Sequence, residues 1–507
     1  MKTISILKDN ETQNIEIFEG ETLLEVIQRS GNVIEATCGG KGTCNKCTVI
    51  VNGQLIKSCT TMADNGMSVK LDDPVSGARI LTQSLKVEYP IIPIFEDLKD
   101  GFGLAVDIGT TTVAAYLFDI ADGNEITVKS TMNPQKVFGA DVISRIEYTS
   151  NGPEERMRMH KSIVNCIQEI IESLNLTDDL AVMAITGNTT MLHFFMNLDA
   201  QGIAQAPFTP ETTEMQIFTS DKLGFNSIKT RVVVLPAVSA YVGADTISAV
   251  IATGLYKSTS PKLLVDIGTN GEIALMSKGI VWACSTAAGP AFEGANITFG
   301  MPALDGAISK VWLGEKDICY KTIGDLHPEG LCGSAVLDIV AILIKIGVVS
   351  STGRMINSDE ADEEWIAGKI LRHNNANAFL ISDDIFITQK DVREIQNAKA
   401  AICAGITILV QRAGISLTDI DVTYLAGGFG NFMDKTSAVQ IGLIPEELLD
   451  TCVTAGNAAG QGACMSLLNK DFLDKSNELS KTIKYIELSY DPDFSDCYMD
   501  NMMFGDD

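Results

Sequence analysis

The sequence predicts a multidomain chain, α+β at its start and α/β beyond it: a small β-rich N-terminal domain, then two α/β lobes facing a cleft. Three observations predict this. Four cysteines, Cys38, Cys44, Cys47 and Cys59, crowd one short stretch in the order C-x5-C-x2-C-x11-C. A strand–turn–strand plan around VDIGTTT, headed by Asp107, returns around VDIGTNG, headed by Asp266. That separation is far too long for a solenoid and suits a duplicated domain. At 507 residues the chain also exceeds what one core fills, so about two to four domains are expected.

Residues 3–20 alternate in polarity like two short strands, and 21–30 carry helical spacing through Leu23, Leu24 and Ile27 that ends before Gly31. The cysteine loop follows. Between Cys47 and Cys59, TVIVNGQLIKS sets Asn52-Gly53 within apolar alternation, a strong hairpin signal that folds Cys59 back beside Cys44 and Cys47. Residues 86–103 combine prolines, mixed charge and no clear period, and read as a linker. The expected domains are therefore 1–85, a linker at 86–103, a first lobe over 104–260, and a second lobe with a C-terminal tail over 261–507. Helical stretches at 160–174 and 335–346 complete the lobes.

The formal charge of −27 argues against nucleic acid or an anionic membrane as partner, since either needs a basic footprint. No uncharged apolar run approaches the roughly 18 residues of a membrane span, and MKTISILKDNETQN does not read as a signal peptide. Of 12 cysteines, four cluster and the others, such as Cys166, Cys284 and Cys403, are scattered through apolar sequence, where free cysteine packs as a small hydrophobe. A reducing cytoplasm is the expected location.

The cysteine spacing suits a [2Fe–2S] cluster, which needs four converging thiolates and backbone close enough to donate to the sulfides. Gly39, Gly40 and Gly42 permit that approach. Structural zinc is the alternative, but it prefers two CxxC knuckles and one is present.

In DIGTTT, Asp107 ends a strand and is followed by Gly109 and the hydroxyls of Thr110, Thr111 and Thr112. These are parts for phosphate and Mg²⁺: turn amides and hydroxyls donate to phosphoryl oxygens while a carboxylate holds hydrated metal. Asp266, Gly268, Thr269 and Asn270 repeat the kit. Either turn alone reads equally well as a plain strand end; the pair points to ATP. Further on, YLAGGFG (424–430) places a strand before Gly427 and Gly428, where adenosine would lie against bare backbone. No GxxxxGK[ST] sequence occurs, so a P-loop is excluded.

The order DIGTTT, DIGTNG, LAGGFGN resembles the phosphate-1, phosphate-2 and adenosine motifs of the superfamily that includes acetate and sugar kinases, Hsp70 and actin. NPQKVFGADVISRI (133–146), TGNTTMLHF (186–194) and GPAFEGANITFGMPALDGAI (289–308) resemble the reductive activators of corrinoid-dependent methyltransferases. The resemblance covers nearly the whole chain. It implies a β-grasp ferredoxin domain followed by a duplicated actin-like ATPase fold, and the short linker implies a compact member without the extra middle domain of longer relatives. By the same resemblance, Asp107 with Thr110, Thr111 and Thr112 would hold phosphate and magnesium, facing Asp266, Thr269 and Asn270. Gly427 and Gly428 would border adenosine. Glu293, in GPAFEG, is a candidate to orient the attacking water, with a helix N-terminal carboxylate as the plainer alternative.

The implied activity is ATP-dependent reduction of Co(II) to Co(I) in a partner corrinoid protein or corrinoid methyltransferase, fed by an upstream electron donor; a homodimer stays open. Three other readings compete: a dehydratase-activator-like ATPase, a small-molecule kinase with a redox domain, and a nucleotide-gated binding protein. Asp325-Leu-His327-Pro-Glu-Gly330 matches the D-x-H-x-x-G pattern of cobalt-ligating proteins, but lacks its downstream partners and reads as a loop leading into a helix. The corrinoid is expected on a partner.

Overall fold

The computed structural model describes residues 2–8, 11–18, 20–30, 32, 34, 47–52, 54–71, 89–176, 180–226, 228–430 and 432–505. Cys38, Cys44, the glycines between them, Gly53 and the beginning of the linker lie outside the described residues.

The N-terminal domain is a five-stranded sheet wrapped on one helix. Strands β1 (Thr3–Lys8), β2 (Glu11–Glu16), β3 (Thr48–Val51), β4 (Gln54–Lys57) and β5 (Ser68–Lys70) run in the order β2-β1-β5-β3-β4, with β1 and β5 parallel. Helix α1 (Leu23–Arg29) starts where Thr22 and Glu25 exchange side-chain-to-backbone hydrogen bonds, a reciprocal cap. Period-2 alternation in β1 turns Ile4 and Ile6 inward, where they meet Leu23, Val26 and Ile27 of α1 and Val69 of β5.

The two lobes repeat one topology. In the first, β6 (Phe102–Ile108), β7 (Thr112–Asp119) and β8 (Glu125–Met132) form an antiparallel meander, and β9 (Leu180–Gly187) and β11 (Arg231–Val234) extend it in parallel from β6. In the second, β12 (Lys262–Ile267), β13 (Gly271–Ser277) and β14 (Ile280–Thr286) form the meander, and β15 (Val422–Ala426) and β16 (Cys452–Gly456) extend it in parallel from β12. Each sheet gains one further edge strand, β10 (Gln216–Thr219) and β17 (Lys484–Tyr485). The matching strand order establishes the duplicated actin-like plan that the repeated DIGT turns predict.

The lobes are stitched together by returning chain. Helix Ala458–Leu468 follows β16 of the second lobe, yet its Ala463, Cys464 and Leu467 bury in the core of the first. Its Gly462 lies against helix Ala244–Ala252, where a Cβ would stand 1.9 Å from the Ser248 carbonyl oxygen. Close backbone contact of this kind needs a residue without a side chain. Residues 89–101 form neither strand nor helix but are strapped down: Ile92 exchanges backbone hydrogen bonds with Leu468 and Lys470, and Arg231 stacks on Phe95 at 4.1 Å. At the C-terminus Phe504 is buried and donates its N–H to the Ser351 carbonyl, so the tail covers the second lobe's core.

No helix among the described residues is long and apolar enough to cross a membrane. Cys166, Cys284 and Cys403 are buried and free. His327 is exposed on a loop ahead of helix Gly333–Lys345, and His160 and His193 are packed in the first lobe against the carbonyls of Phe194 and Thr189.

Candidate nucleotide cleft and cluster site

At the cysteine site, the β3–β4 hairpin returns the chain to Cys47, whose carbonyl accepts from the Ser58 N–H at 2.9 Å. The Cys47 and Cys59 sulfurs consequently stand 3.1 Å apart, both buried, against Leu24 of α1 and Ile34. A disulfide would bring them to about 2.05 Å, so the two sulfurs are not bonded to each other. Two converging thiols in an apolar pocket fit half of a cluster's ligand set. Cys38 and Cys44 lie outside the described residues.

The cleft between the lobes opens into a cavity of about 270 Å³. Both DIGT turns line it, and each closes in the same way: Gly109 N–H donates to the Thr112 carbonyl, and Gly268 N–H to the Asn270 carbonyl. Asp107, Thr110, Thr111, Thr112, Asp266, Thr269, Asn270, Glu293, Gly427 and Gly428 all reach the same cavity. Gly427, at φ +88°, approaches the second turn so closely that a Cβ would stand 2.6 Å from the Asp266 carboxylate and from the Ile267 carbonyl oxygen. Gly428 has open space before it.

Glu293 does not act as a helix N-terminal carboxylate. It ends the single 3₁₀ turn Pro290–Glu293 and reaches across the cleft, one oxygen accepting from the Thr269 hydroxyl at 2.8 Å and the other from the Thr111 hydroxyl. One carboxylate thus joins the two DIGT turns, one from each lobe.

Further residues enter the site that no repeat or glycine signal marks. Asn457 caps the returning helix and donates to Asp107 at 2.9 Å. Asn188 caps helix Thr189–Phe195 and donates to the Thr110 hydroxyl at 3.1 Å. Asp245 and Glu272 bring the lining carboxylates to five, with Asp107, Asp266 and Glu293. Phe432 offers an exposed ring at the mouth, beside the stacked Phe292 and Phe429.

Burial dominates the electrostatics of this cluster. It raises the Asp107 carboxyl to about 6, against the Asn457 hydrogen bond, and raises Asp266 to about 7, with repulsion from Asp245, Asp107 and Glu293 adding to it. Asp245 is raised by the same burial and by the charge of Asp107, and Glu272 by burial and by the charges of Asp245 and Asp266. No lysine, arginine or histidine is among the described residues lining the cavity. A nucleotide's phosphates therefore need a divalent cation to enter beside these carboxylates, and the donor set of aspartates and hydroxyls is that of a hard cation such as Mg²⁺. The sign of the pH effect follows. The folded state holds protons on Asp107 and Asp266 that the unfolded chain releases near pH 4, so these groups make stability fall as pH rises from about 4 to 7. Metal competes with those protons, so the rise in melting temperature produced by Mg²⁺ and nucleotide is expected to be larger at pH 8 than at pH 6. Calorimetry at the two pH values checks this, and an equal rise at both would remove the carboxylates from the metal site.

Comparison with known proteins bears on all three parts of the chain. The model of a 2Fe-2S iron-sulfur cluster binding domain matches residues 2–74, that of the RACo middle region matches 102–258, and that of the C-terminal ASKHA domain of RACo matches 260–507. The corrinoid activation enzyme RamQ of Eubacterium limosum is 31% identical, over 97% of this chain and 98% of its own. The chain belongs to the RACo family. The match to the RACo middle region falls on the first lobe. Among other RACo relatives, the [Co(II) methylated amine-specific corrinoid protein] reductase of Methanosarcina barkeri is 25% identical over 75% of this chain and 73% of its own. A solved structure titled reductive activator for corrinoid, iron-sulfur protein superposes with a TM-score of 0.74 at 26% identity, covering 99% of this chain and 98% of that one.

Proposed function

We propose that this chain is an ATP-dependent reductive activator, which delivers one electron to the Co(II) corrinoid of a partner corrinoid protein or methyltransferase and regenerates Co(I). The observation that carries this reading is the pairing, in one chain, of converging buried thiols with a two-lobed, carboxylate-lined cleft, matched end to end by a relative named for corrinoid activation. In this reading Cys38, Cys44, Cys47 and Cys59 hold a [2Fe–2S] cluster, which when bound supplies a one-electron carrier of low potential. Asp107 and Asp266 hold hydrated Mg²⁺, while Gly109, Thr110, Thr111 and Thr112 on one side and Gly268, Thr269 and Asn270 on the other bind phosphate. Gly427 and Gly428 leave bare backbone for adenosine. When phosphate takes the Thr111 and Thr269 hydroxyls, Glu293 is released from both and becomes free to orient the attacking water.

The need for ATP is energetic. An uphill gap of roughly 0.1 V for one electron costs about 2.3 kcal/mol, and a nucleotide can supply it only by binding two states of the protein with different affinity. Closure of two lobes around the phosphates provides such states. The charge of −27 favours a partner with a basic docking face. The reading also requires an upstream electron donor, places the chain in a reducing cytoplasm and admits a homodimer.

The test is anaerobic. Pre-reduced protein is mixed with a Co(II) corrinoid protein, and the Co(I) absorption is followed with and without Mg·ATP, together with phosphate release. Co(I) is expected to accumulate only with ATP, and the corrinoid partner is expected to stimulate ATP turnover. Equal reduction without ATP, or none with any candidate partner, would sink the reading.

A further inference from the structure

Three successive carbonyls of the first DIGT turn, those of Gly109, Thr110 and Thr111, are held from behind by one segment, residues 133–146. Asn133, fully buried, donates its side-chain amide to the Gly109 carbonyl at 2.7 Å and its backbone N–H to the Thr111 carbonyl at 2.8 Å. Arg145, also buried, donates to the Thr110 carbonyl at 2.6 Å and to the Gly139 carbonyl at 3.0 Å. A guanidinium buried on backbone carbonyls fixes the turn and this segment as one rigid piece. Whatever moves the turn toward a phosphate must therefore move residues 133–146 with it.

The same segment touches the N-terminal domain. Between Asn133 and Arg145 runs the 3₁₀ turn Pro134–Val137, and the Val137 carbonyl accepts a hydrogen bond from the Gln28 side chain at 3.2 Å. Gln28 stands on α1, the helix whose Leu24 packs directly against Cys47 and Cys59. Hydrogen bonds and packed side chains thus run without a gap from the phosphate turn to the cysteine pair: Gly109, Asn133, Val137, Gln28, α1, Leu24, Cys47.

We propose that residues 133–146 and Gln28 couple the nucleotide turn to the cysteine site, so that nucleotide occupancy changes the cluster's reduction potential and cluster reduction changes nucleotide affinity. This rests on the reading above that the cleft takes ATP and the cysteines a [2Fe–2S] cluster. Gln28 is a positioning residue: it touches neither group. Coupling between two binding equilibria is reciprocal, so the two effects share one factor. A tenfold difference in nucleotide affinity between oxidised and reduced protein corresponds to about 59 mV in a one-electron potential.

The full chain carrying its cluster is titrated for potential by electron paramagnetic resonance, with and without Mg·ADP, and Mg·ADP affinity is measured calorimetrically on oxidised and dithionite-reduced protein. The wild type is expected to show at least about a fivefold affinity difference, typical of coupled sites, and the matching shift in potential. Gln28→Ala, and Gln28→Glu, which keeps the shape but removes the donor, are expected to collapse both differences while keeping the cluster spectrum and the affinity of the oxidised protein. A wild type that binds Mg·ADP with no change in potential overturns the coupling, as does a full shift in both Gln28 variants. Failure of the wild type to bind Mg·ADP would instead overturn the ATPase reading, and the coupling with it.

Discussion

A Cys47→Ala chain is expected to lose the visible absorption of the [2Fe–2S] cluster and all electron delivery to a corrinoid partner, while still binding Mg·ATP. Cys47 is 1% exposed and its sulfur meets that of Cys59 at 3.1 Å, so the substitution removes a buried sulfur at the point of convergence rather than a surface group. The fold should tolerate the change. Alanine fits an apolar pocket beside Leu24, and the hydrogen bond that closes the hairpin onto residue 47 uses the Cys47 backbone carbonyl, which the substitution keeps. The nucleotide cleft is built from two other sheets and should keep its fold. Absorption and paramagnetic resonance spectra after anaerobic reconstitution, together with calorimetric titration of nucleotide, decide the outcome. A normal [2Fe–2S] spectrum would take Cys47 out of the ligand set.

What could be read from the sequence was chemistry that is local in the chain. A phosphate turn needs its carboxylate, glycine and hydroxyls within about six residues, so each DIGT copy announces itself, and the repeat turns two weak signals into one strong one. The cysteine spacing and the hairpin that returns Cys59 to Cys47 are legible for the same reason. Residues that enter the cleft from distant elements are not. Glu272 stands where the first copy has Val113, so the repeat that exposed Asp266 hides its neighbour. Asp245 opens a helix and Asn457 caps another, positions where such residues are common without any ligand. Asn133 and Arg145 lie in a segment that the resemblance marks, but they are outside the cavity lining and act on backbone carbonyls, so their residue types announce no ligand chemistry.

The same division applies to the fold. Alternation and helical period locate the elements around the motifs, such as β1, β2, α1, the β3–β4 hairpin and the strands flanking each DIGT turn, because those patterns follow from which face is buried. Residues 89–101 defeat that logic: their contacts are made one at a time, by Ile92 to the end of the returning helix and by Phe95 under Arg231, so no period arises. The crossing of helix Ala458–Leu468 from the second lobe to the first is invisible for a different reason. A helix apolar over most of its surface is marked as buried, but nothing in it says against which core.

Asp266 separates function from stability in opposite directions. Asp266→Asn is expected to cut ATP hydrolysis by about 10²–10³-fold, the loss seen when one preorganised electrostatic group is removed from a transition-state site, and to leave the cluster spectrum unchanged. Yet the nucleotide-free variant should melt at a higher temperature than the wild type at pH 8. In the wild type, burial together with the charges of Asp245, Asp107 and Glu293 raises the Asp266 carboxyl to about 7, which means that its ionised form is disfavoured in the folded state. Above that pH the folded protein must carry the unfavourable charge. Asparagine keeps the shape and removes the charge, so the repulsion disappears along with the proposed metal ligand. Below about pH 5 the wild-type carboxyl is protonated and neutral in the fold, and the difference in melting temperature should shrink. A site whose residues destabilise the fold until their ligand arrives is the expected signature of function held against stability. Phosphate-release assays and melting curves at pH 5 and pH 8 test both halves: unchanged turnover would remove Asp266 from the nucleotide site, and a lower melting temperature at pH 8 would mean that its charge is balanced by a cation in the absence of nucleotide.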